Sequence, residues 1–171
     1  MQAIEWDDEL SARIRAAFPA AAARSYLQQN FVESPTATVK PLIEFLRNTE
    51  NFDMLVDLTA VDWWKKDSAA DYPRFEIVYQ LYSFPTNQRL RVKTRLLENE
   101  AAPSIVGIYA AADWLEREVF DMFGILFQGH PALKRILLPE EWQGFPLRKD
   151  KSILAMDQNW VRDHLSIESG Q

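Results

Sequence analysis

Cysteine is absent from this 171-residue chain. Disulfides, thiolate zinc sites and cysteine-ligated iron–sulfur clusters are therefore excluded for it. Glycine is scarce, with five residues at 107, 124, 129, 144 and 170. Their spacing forms neither a dinucleotide-binding fingerprint nor a phosphate-cradling loop. Histidine occurs only at His130 and His164, outside any H-E-x-x-H pair, and no serine sits in a G-x-S-x-G elbow. Apolar runs last a few residues, far short of the ~20 that span a bilayer. The acidic N-terminus lacks the basic-then-apolar order of a secretory signal. Lysine and arginine number 19 against 25 acids, a net charge of −6, which argues against counterion-release binding to nucleic acid. These absences predict a chain of the cytosol that meets a membrane only through a partner, with a binding role rather than a catalytic one.

With 47% hydrophobic and 26% charged residues, the chain has the means for one ordinary globular domain. Leu10, Ile14 and Phe18 recur at helical spacing and predict a helix from about Asp7 to Phe18, with Asp7 and Asp8 at its positive end. Pro41 is placed to open a second helix, with Leu42, Ile43, Phe45 and Leu46 as its buried stripe. Phe31 to Val39 reads as loop and a short strand. The period then changes to two. Met54, Val56, Leu58 and Ala60 mark one face of a strand, Phe75, Ile77, Tyr79 and Leu81 a second, and Leu90, Val92, Thr94 and Leu96 a third. The link from Ser83 to Gln88 is short enough for an antiparallel hairpin. Opposite the third apolar face stand Arg89, Arg91, Lys93 and Arg95, which read first as a solvated sheet face and second as a dock for an acidic partner. Asp57 and Asp62 could form a carboxylate pair for acid–base work, but they read better as flanks of a strand and its turn.

A third helix is expected from Ala110 to Phe123, stopped by Gly124, with Ile125 to Phe127 as a last strand. On it Leu115, Val119, Met122 and Phe123 share an apolar arc, and Arg117 can bridge Asp113 and Asp121 at i±4. Glu116 falls between Phe120 and Phe123. A carboxylate among aromatics is costly to bury unless an arginine or backbone donor meets it, so the Glu-Arg-Glu cluster reads first as a surface helix laced with ion pairs and second as a buried Glu116 paired with Arg135 or Arg148. From His130 onward the periodicity fails. The chain therefore divides into an α+β core over residues 1–129 and an extended C-terminal arm over 130–171. The core is expected as a two-layer sandwich, a mainly antiparallel sheet with helices on one face.

The run Glu116-Arg117-Glu118-Val119-Phe120-Asp121-Met122-Phe123-Gly124-Ile125, followed by Gly129-His130-Pro131-Ala132-Leu133-Lys134-Arg135-Ile136-Leu137, resembles the signature of the 30-kDa subunit family of respiratory complex I. Trp142-Gln143-Gly144-Phe145-Pro146-Leu147-Arg148-Lys149-Asp150 resembles that family's G-x-P-L-R-K-D segment, and Leu55 to Asp62 and Arg74 to Tyr79 resemble its strand segments. The resemblance covers about Leu42 to Asp150, and many members carry His where Phe145 stands.

It implies the C-type, or 30-kDa, component of NADH:quinone oxidoreductase, without a redox group of its own. FMN and iron–sulfur clusters are implied on other subunits. Implied partners are the 49-kDa quinone-site protein (the D-type component) and the neighbouring iron–sulfur proteins (the B- and I-type components), on the cytoplasmic face of the inner membrane. The implied interface and signature residues are Glu116, Arg117, Glu118, Asp121, Gly124, His130, Pro131, Lys134, Arg135, Pro146, Leu147, Arg148, Lys149 and Asp150. Membrane-bound hydrogenases and ferredoxin-dependent complexes carry similar modules, and gene neighbours would separate the two cases.

Overall fold

A computed structural model describes residues 3–65 and 72–150. The first helix starts where Asp8 can cap it. The Asp8 carboxylate accepts the Ser11 N–H and the Ser11 hydroxyl accepts the Asp8 N–H, both at 2.8 Å, a reciprocal box that opens α1, Glu9–Ala17. Before it lies β1, Ile4–Glu5, and after it come β2, Ala22–Tyr26, and β3, Gln29–Glu33. Next follow α2, Thr36–Asn48, then β4, Met54–Asp62, β5, Phe75–Ser83, and β6, Gln88–Leu96. The last described elements are β7, Ala102–Pro103, α3, Ala112–Phe123, and β8, Phe127–Gln128.

Six strands form one sheet in the order β1-β2-β3-β6-β5-β4, antiparallel except for the parallel pair β3–β6. β7 and β8 pair in parallel, with α3 as the crossover that parallel pairing demands. Helices pack on one face of the large sheet. Ile14 of α1, Leu42, Ile43 and Leu46 of α2, and Val119 and Phe123 of α3 share one core with Val32, Leu58, Ile77, Tyr79, Leu90 and Val92 of the strands. The α+β two-layer sandwich with a mainly antiparallel sheet is the observed fold. No helix among the described residues is long and apolar enough to cross a membrane.

Four local expectations are revised. α2 begins at Thr36, with Pro35 as its N-cap, and Pro41 lies inside it. The missing N–H removes one intrahelical bond, and the buried stripe Val39, Leu42, Ile43 and Leu46 holds the helix through the proline. β2 and β3 form a hairpin where the periodicity predicts only a short strand after Phe31. Its two-residue loop is Leu27-Gln28, both at positive φ (49° and 62°), so no glycine or asparagine announces the turn. In β4 a bulge between Leu55 and Asp57 shifts the alternation, so Leu55 faces the core while Met54 and Val56 are exposed. Asp62, expected beside a turn, is buried at the end of that strand.

α3 ends at Gly124, which takes the left-handed φ of 74° and donates its N–H to the Phe120 carbonyl oxygen at 2.8 Å. A Cβ at this position would stand 2.5 Å from the Phe145 ring. Gly124→Ala is expected to lose roughly 2 kcal/mol of unfolding free energy, from backbone strain and displacement of that ring together. Urea denaturation checks this, and a loss below ~0.5 kcal/mol would show that the ring is free to move away.

Candidate functional site

The signature residues converge where the segment after β8 returns to α3. Asp121, fully buried on α3, is the hub. Its Oδ2 accepts three consecutive backbone N–H groups, from Ile136, Leu137 and Leu138, at 3.0, 2.8 and 3.0 Å. Its Oδ1 accepts from Arg135 Nη1 at 2.6 Å. Burial alone would push this carboxyl up, but the three amides and the guanidinium outweigh it and hold the group below the usual carboxylate range. Arg135 also donates to the Trp142 and Gly144 carbonyl oxygens at 3.3 and 3.1 Å. One side chain thus ties the backbone at Trp142 and Gly144 to the helix.

A second contact group forms around Phe145. Its ring rests on Gly124, with the Arg135 and Arg148 guanidinium carbons 5.2 and 4.8 Å from its centroid. Arg148 lies 5.3 Å from the Phe75 ring as well and donates from Nε to the Phe123 carbonyl oxygen at 2.6 Å. Where many family members carry imidazole, this chain has a platform for two cations. The Leu147 N–H donates to the Met122 carbonyl oxygen at 3.1 Å, with the leucine side chain exposed and Pro146 half-buried beside it.

The third group joins the far end of the segment to the sheet. Arg74 donates from Nε and Nη2 to the two Asp62 oxygens at 3.1 and 3.0 Å, from Nη2 to Asp150 at 2.7 Å and from Nη1 to Glu98 at 2.7 Å. The Lys149 N–H adds a 2.8 Å bond to Asp62. Burial would raise the Asp62 carboxyl, yet Arg74 and the Lys149 and Trp64 amides bring it below the ordinary range. By sequence Asp62 stands out only as a possible partner of Asp57, and its link to Arg74 is not legible, because it lies across a hairpin and no motif spacing encodes it.

His130 pins the start of the segment. Its Nδ1 accepts the Ala132 N–H at 3.0 Å, so the proton sits on Nε2, which lies 3.1 Å from the Asp113 carbonyl oxygen. Arg117 does not bridge Asp113 and Asp121. It stacks 4.8 Å from the Trp114 ring centroid and donates to the Lys134 carbonyl oxygen at 3.2 Å, while Arg135 takes Asp121. Glu118, Pro131, the Lys134 side chain and the Lys149 side chain face solvent.

Glu116 is fully buried as expected, but among the described residues no arginine reaches it, because Arg135 goes to Asp121 and Arg148 to Phe123. Its Oε1 accepts the Ile105 N–H at 2.7 Å, and Oε2 has no hydrogen-bond partner among the described residues. Burial pushes its carboxyl above the ordinary range, with the Ile105 amide and Ser104 hydroxyl pulling partly back. The fold therefore favours the protonated acid. The stability gained is fully present below the ordinary glutamate pKa and is lost as pH rises through the raised folded value. Glu116→Gln, already neutral, is expected to gain on the native protein between pH 5 and 8, while Glu116→Ala loses ~2–4 kcal/mol through the cavity and the orphaned amide. Parallel urea titrations at the two pH values check this, and a Gln variant that instead falls behind at pH 8 would show that the ionised form is favoured.

Comparison with known proteins places this geometry. The family profile described as "Respiratory-chain NADH dehydrogenase, 30 Kd subunit" matches residues 32–156. The C-type component of the NADH-quinone oxidoreductase of Rhodobacter capsulatus is 52% identical over 122 residues, covering 67% of this chain and 59% of that protein. Its counterpart in Trichlorobacter lovleyi is 51% identical over 126 residues, covering 73% of this chain and 75% of its own length. The chain thus spans about three fifths of the Rhodobacter relative and three quarters of the Trichlorobacter one. Among solved structures, a chain of the membrane-bound sulfane sulfur reductase, an archaeal respiratory membrane complex, superposes with a TM-score of 0.73 at 24% identity, covering 95% of this chain and 94% of its own. That last likeness is one of fold.

Proposed function

Because this chain belongs to the family of the respiratory-chain NADH dehydrogenase 30-kDa subunit, we propose that it serves as the 30-kDa component of a proton-translocating NADH:quinone oxidoreductase, a scaffold without redox chemistry of its own. In this reading it holds the 49-kDa quinone-site protein beside the neighbouring iron–sulfur proteins. FMN and the iron–sulfur clusters reside on other subunits, in keeping with the lack of cysteine here. It lies on the cytoplasmic face of the inner membrane and meets the bilayer only through the complex.

One observation carries the reading. Asp121, Arg135 and Arg148 of the signature are turned inward and, with the Lys149 amide, fix residues 130–150 on α3 and the sheet, while Trp114, Leu137 and Leu147 around that seam remain 61%, 62% and 50% exposed. A segment fixed in place by charge and bearing large apolar groups outward supplies anchors for a partner at low ordering cost. We assign that surface, and the chain continuing from it, to the 49-kDa protein.

The test is to tag the chain in its native cell, solubilise the membranes in mild detergent and run a native gel stained for NADH dehydrogenase activity. Co-migration with a very large NADH-active band that also holds iron–sulfur subunits is the expected result. Co-migration with a large complex lacking that activity would move the chain to the hydrogenase or ferredoxin-linked relatives. A monomer-sized species, with the large band intact without it, would end the subunit reading.

A further inference from the structure

The four cations on the outer face of β6 divide into two pairs. Lys93 and Arg95 both reach Glu76 of β5, at 3.6 and 3.3 Å, and share its single carboxylate. Arg89 and Arg91 form no ion pair among the described residues. Arg89 lies 5.9 Å from the Tyr82 ring centroid, and Arg91 donates from Nη2 to Gln29 Oε1 at 3.0 Å, while its Nε is buried without a partner. Both arginines line an open pocket of about 620 Å³ whose walls also carry the amide side chains of Gln28, Gln29, Asn30 and Gln80.

Strand register gives this pocket its dimensions. Arg89 and Arg91 stand on one face two residues apart, hence about 7 Å along the strand. Asp57 faces Gln80, and Gln80 faces Arg91, which puts Asp57 two strands and about 10 Å from Arg91. That is too far for an ion pair but close enough to form the opposite wall. Val56, pushed outward by the bulge, adds an exposed apolar spot at the rim.

We infer that this pocket docks an extended acidic segment of a partner polypeptide, with carboxylates at alternate positions. Alternate side chains of an extended chain project to the same side about 7 Å apart, matching the spacing of positions 89 and 91 along β6, and the two guanidinium groups lean toward Tyr82 on one side and Gln29 on the other. The side-chain amides can both donate to and accept from a peptide backbone, and Asp57 offers an acceptor to its N–H groups. A lone phosphate would engage one point of this array and leave its other end empty. An anionic bilayer would meet Asp57 and the net negative charge of the whole chain. The surface is on the face of the sheet away from the helices, so it stands independently of the place proposed for the chain in a complex.

NMR chemical-shift titration of the full-length chain tests this with three synthetic peptides: one with Glu at alternate positions between Thr and Val, its Gln counterpart, and one with the two Glu adjacent. The alternate-Glu peptide is expected to shift the Gln29, Asn30, Gln80 and Arg91 amides. The Gln peptide and the Arg89→Gln/Arg91→Gln chain are each expected to bind at least about tenfold more weakly, as for the loss of charge-assisted pairs. Arg89→Gln alone touches only an exposed stacked side chain, so it keeps the test open if the double variant unfolds, and a partial loss is expected of it. Arg89→Glu/Arg91→Glu should prefer a peptide with alternate lysines. The inference is overturned if no peptide binds, if the adjacent-Glu peptide binds equally well, or if the arginine variants bind unchanged. It is overturned equally if inorganic phosphate alone saturates the same shifts, or if the variants lose only sedimentation with phosphatidylglycerol vesicles.

Discussion

Alanine at position 121 is expected to lower unfolding free energy by ~3–5 kcal/mol and to release residues 130–150 from α3, the cost of breaking a fully buried, multiply bonded ion pair. The substitution takes away one acceptor and strands four donors: the Arg135 guanidinium and the Ile136, Leu137 and Leu138 amides. Arg135 would be left half-buried with carbonyl partners only. Limited trypsin digestion should then cut at Lys134 and Arg135 well before the sheet and faster than in the native chain, where Asp121 holds Arg135 and the three residues after it. Asp121→Asn should fall between the two, because an amide oxygen can still accept while its NH2 group opposes the remaining donors. The pH dependence has a definite sign. The folded carboxyl lies below its ordinary value, so its contribution is fully present above the ordinary carboxylate pKa and is lost as pH falls through the lower folded value. Acid titration of the Asp121→Asn chain should therefore be flatter than that of the native chain. An alanine variant within ~1 kcal/mol of native would mean that the segment is held elsewhere.

Replacing Arg74 by methionine is expected to cost a similar ~3–5 kcal/mol, since it strands a buried carboxylate while preserving much of the side-chain volume. Arg74 is the only cation on Asp62 among the described residues, and it also holds Asp150 and Glu98. Lysine should not rescue it, because one ammonium cannot reproduce the fork that spans both Asp62 oxygens. The partner substitution makes the claim sharper: Asp62→Asn in the methionine background should cost much less than in the native chain, a coupling of more than ~1 kcal/mol in a double-mutant cycle. Additive losses would show that the two residues act separately. Asp62 titrates in the same sense as Asp121, so its contribution also fades only as pH drops through the lowered folded value.

The parts of the fold readable from sequence are those where one local rule acts alone. The core-facing alternation of β6 is clean, and Gly124 stops α3 because a left-handed residue is needed there. Misreadings arise where tertiary packing overrides a local rule. Pro41 looks like a helix start, but burial of Val39 carries α2 back to Thr36. The Leu27-Gln28 turn carries no turn residues because flanking strand pairing imposes the left-handed backbone. A bulge is invisible to a period-two count, which therefore places Val56 inward. At the site, helical spacing correctly brings Asp113, Arg117 and Asp121 onto adjacent positions and puts Glu116 inside. It cannot say that donors 14 to 17 residues downstream will claim Asp121 first. The partner of Asp62 is equally out of reach, since hairpin register decides it.

The placement of Asp121 also sets an order of events on a ribosome. Every donor to its carboxylate lies between Arg135 and Leu138, later in the chain than the helix that carries it. Until those residues emerge, α3 can bury Val119 and Phe123 only by burying a bare negative charge with them. The β5–β6 hairpin, closed by neighbours in sequence, can form meanwhile. Docking of α3 and capture of the returning segment are therefore one cooperative step, which waits for residue 138. The Lys149 bond to Asp62, across 87 residues, seals it last. Nascent chains stalled before residue 138 should expose the helix to a chaperone, and those released beyond residue 150 should not.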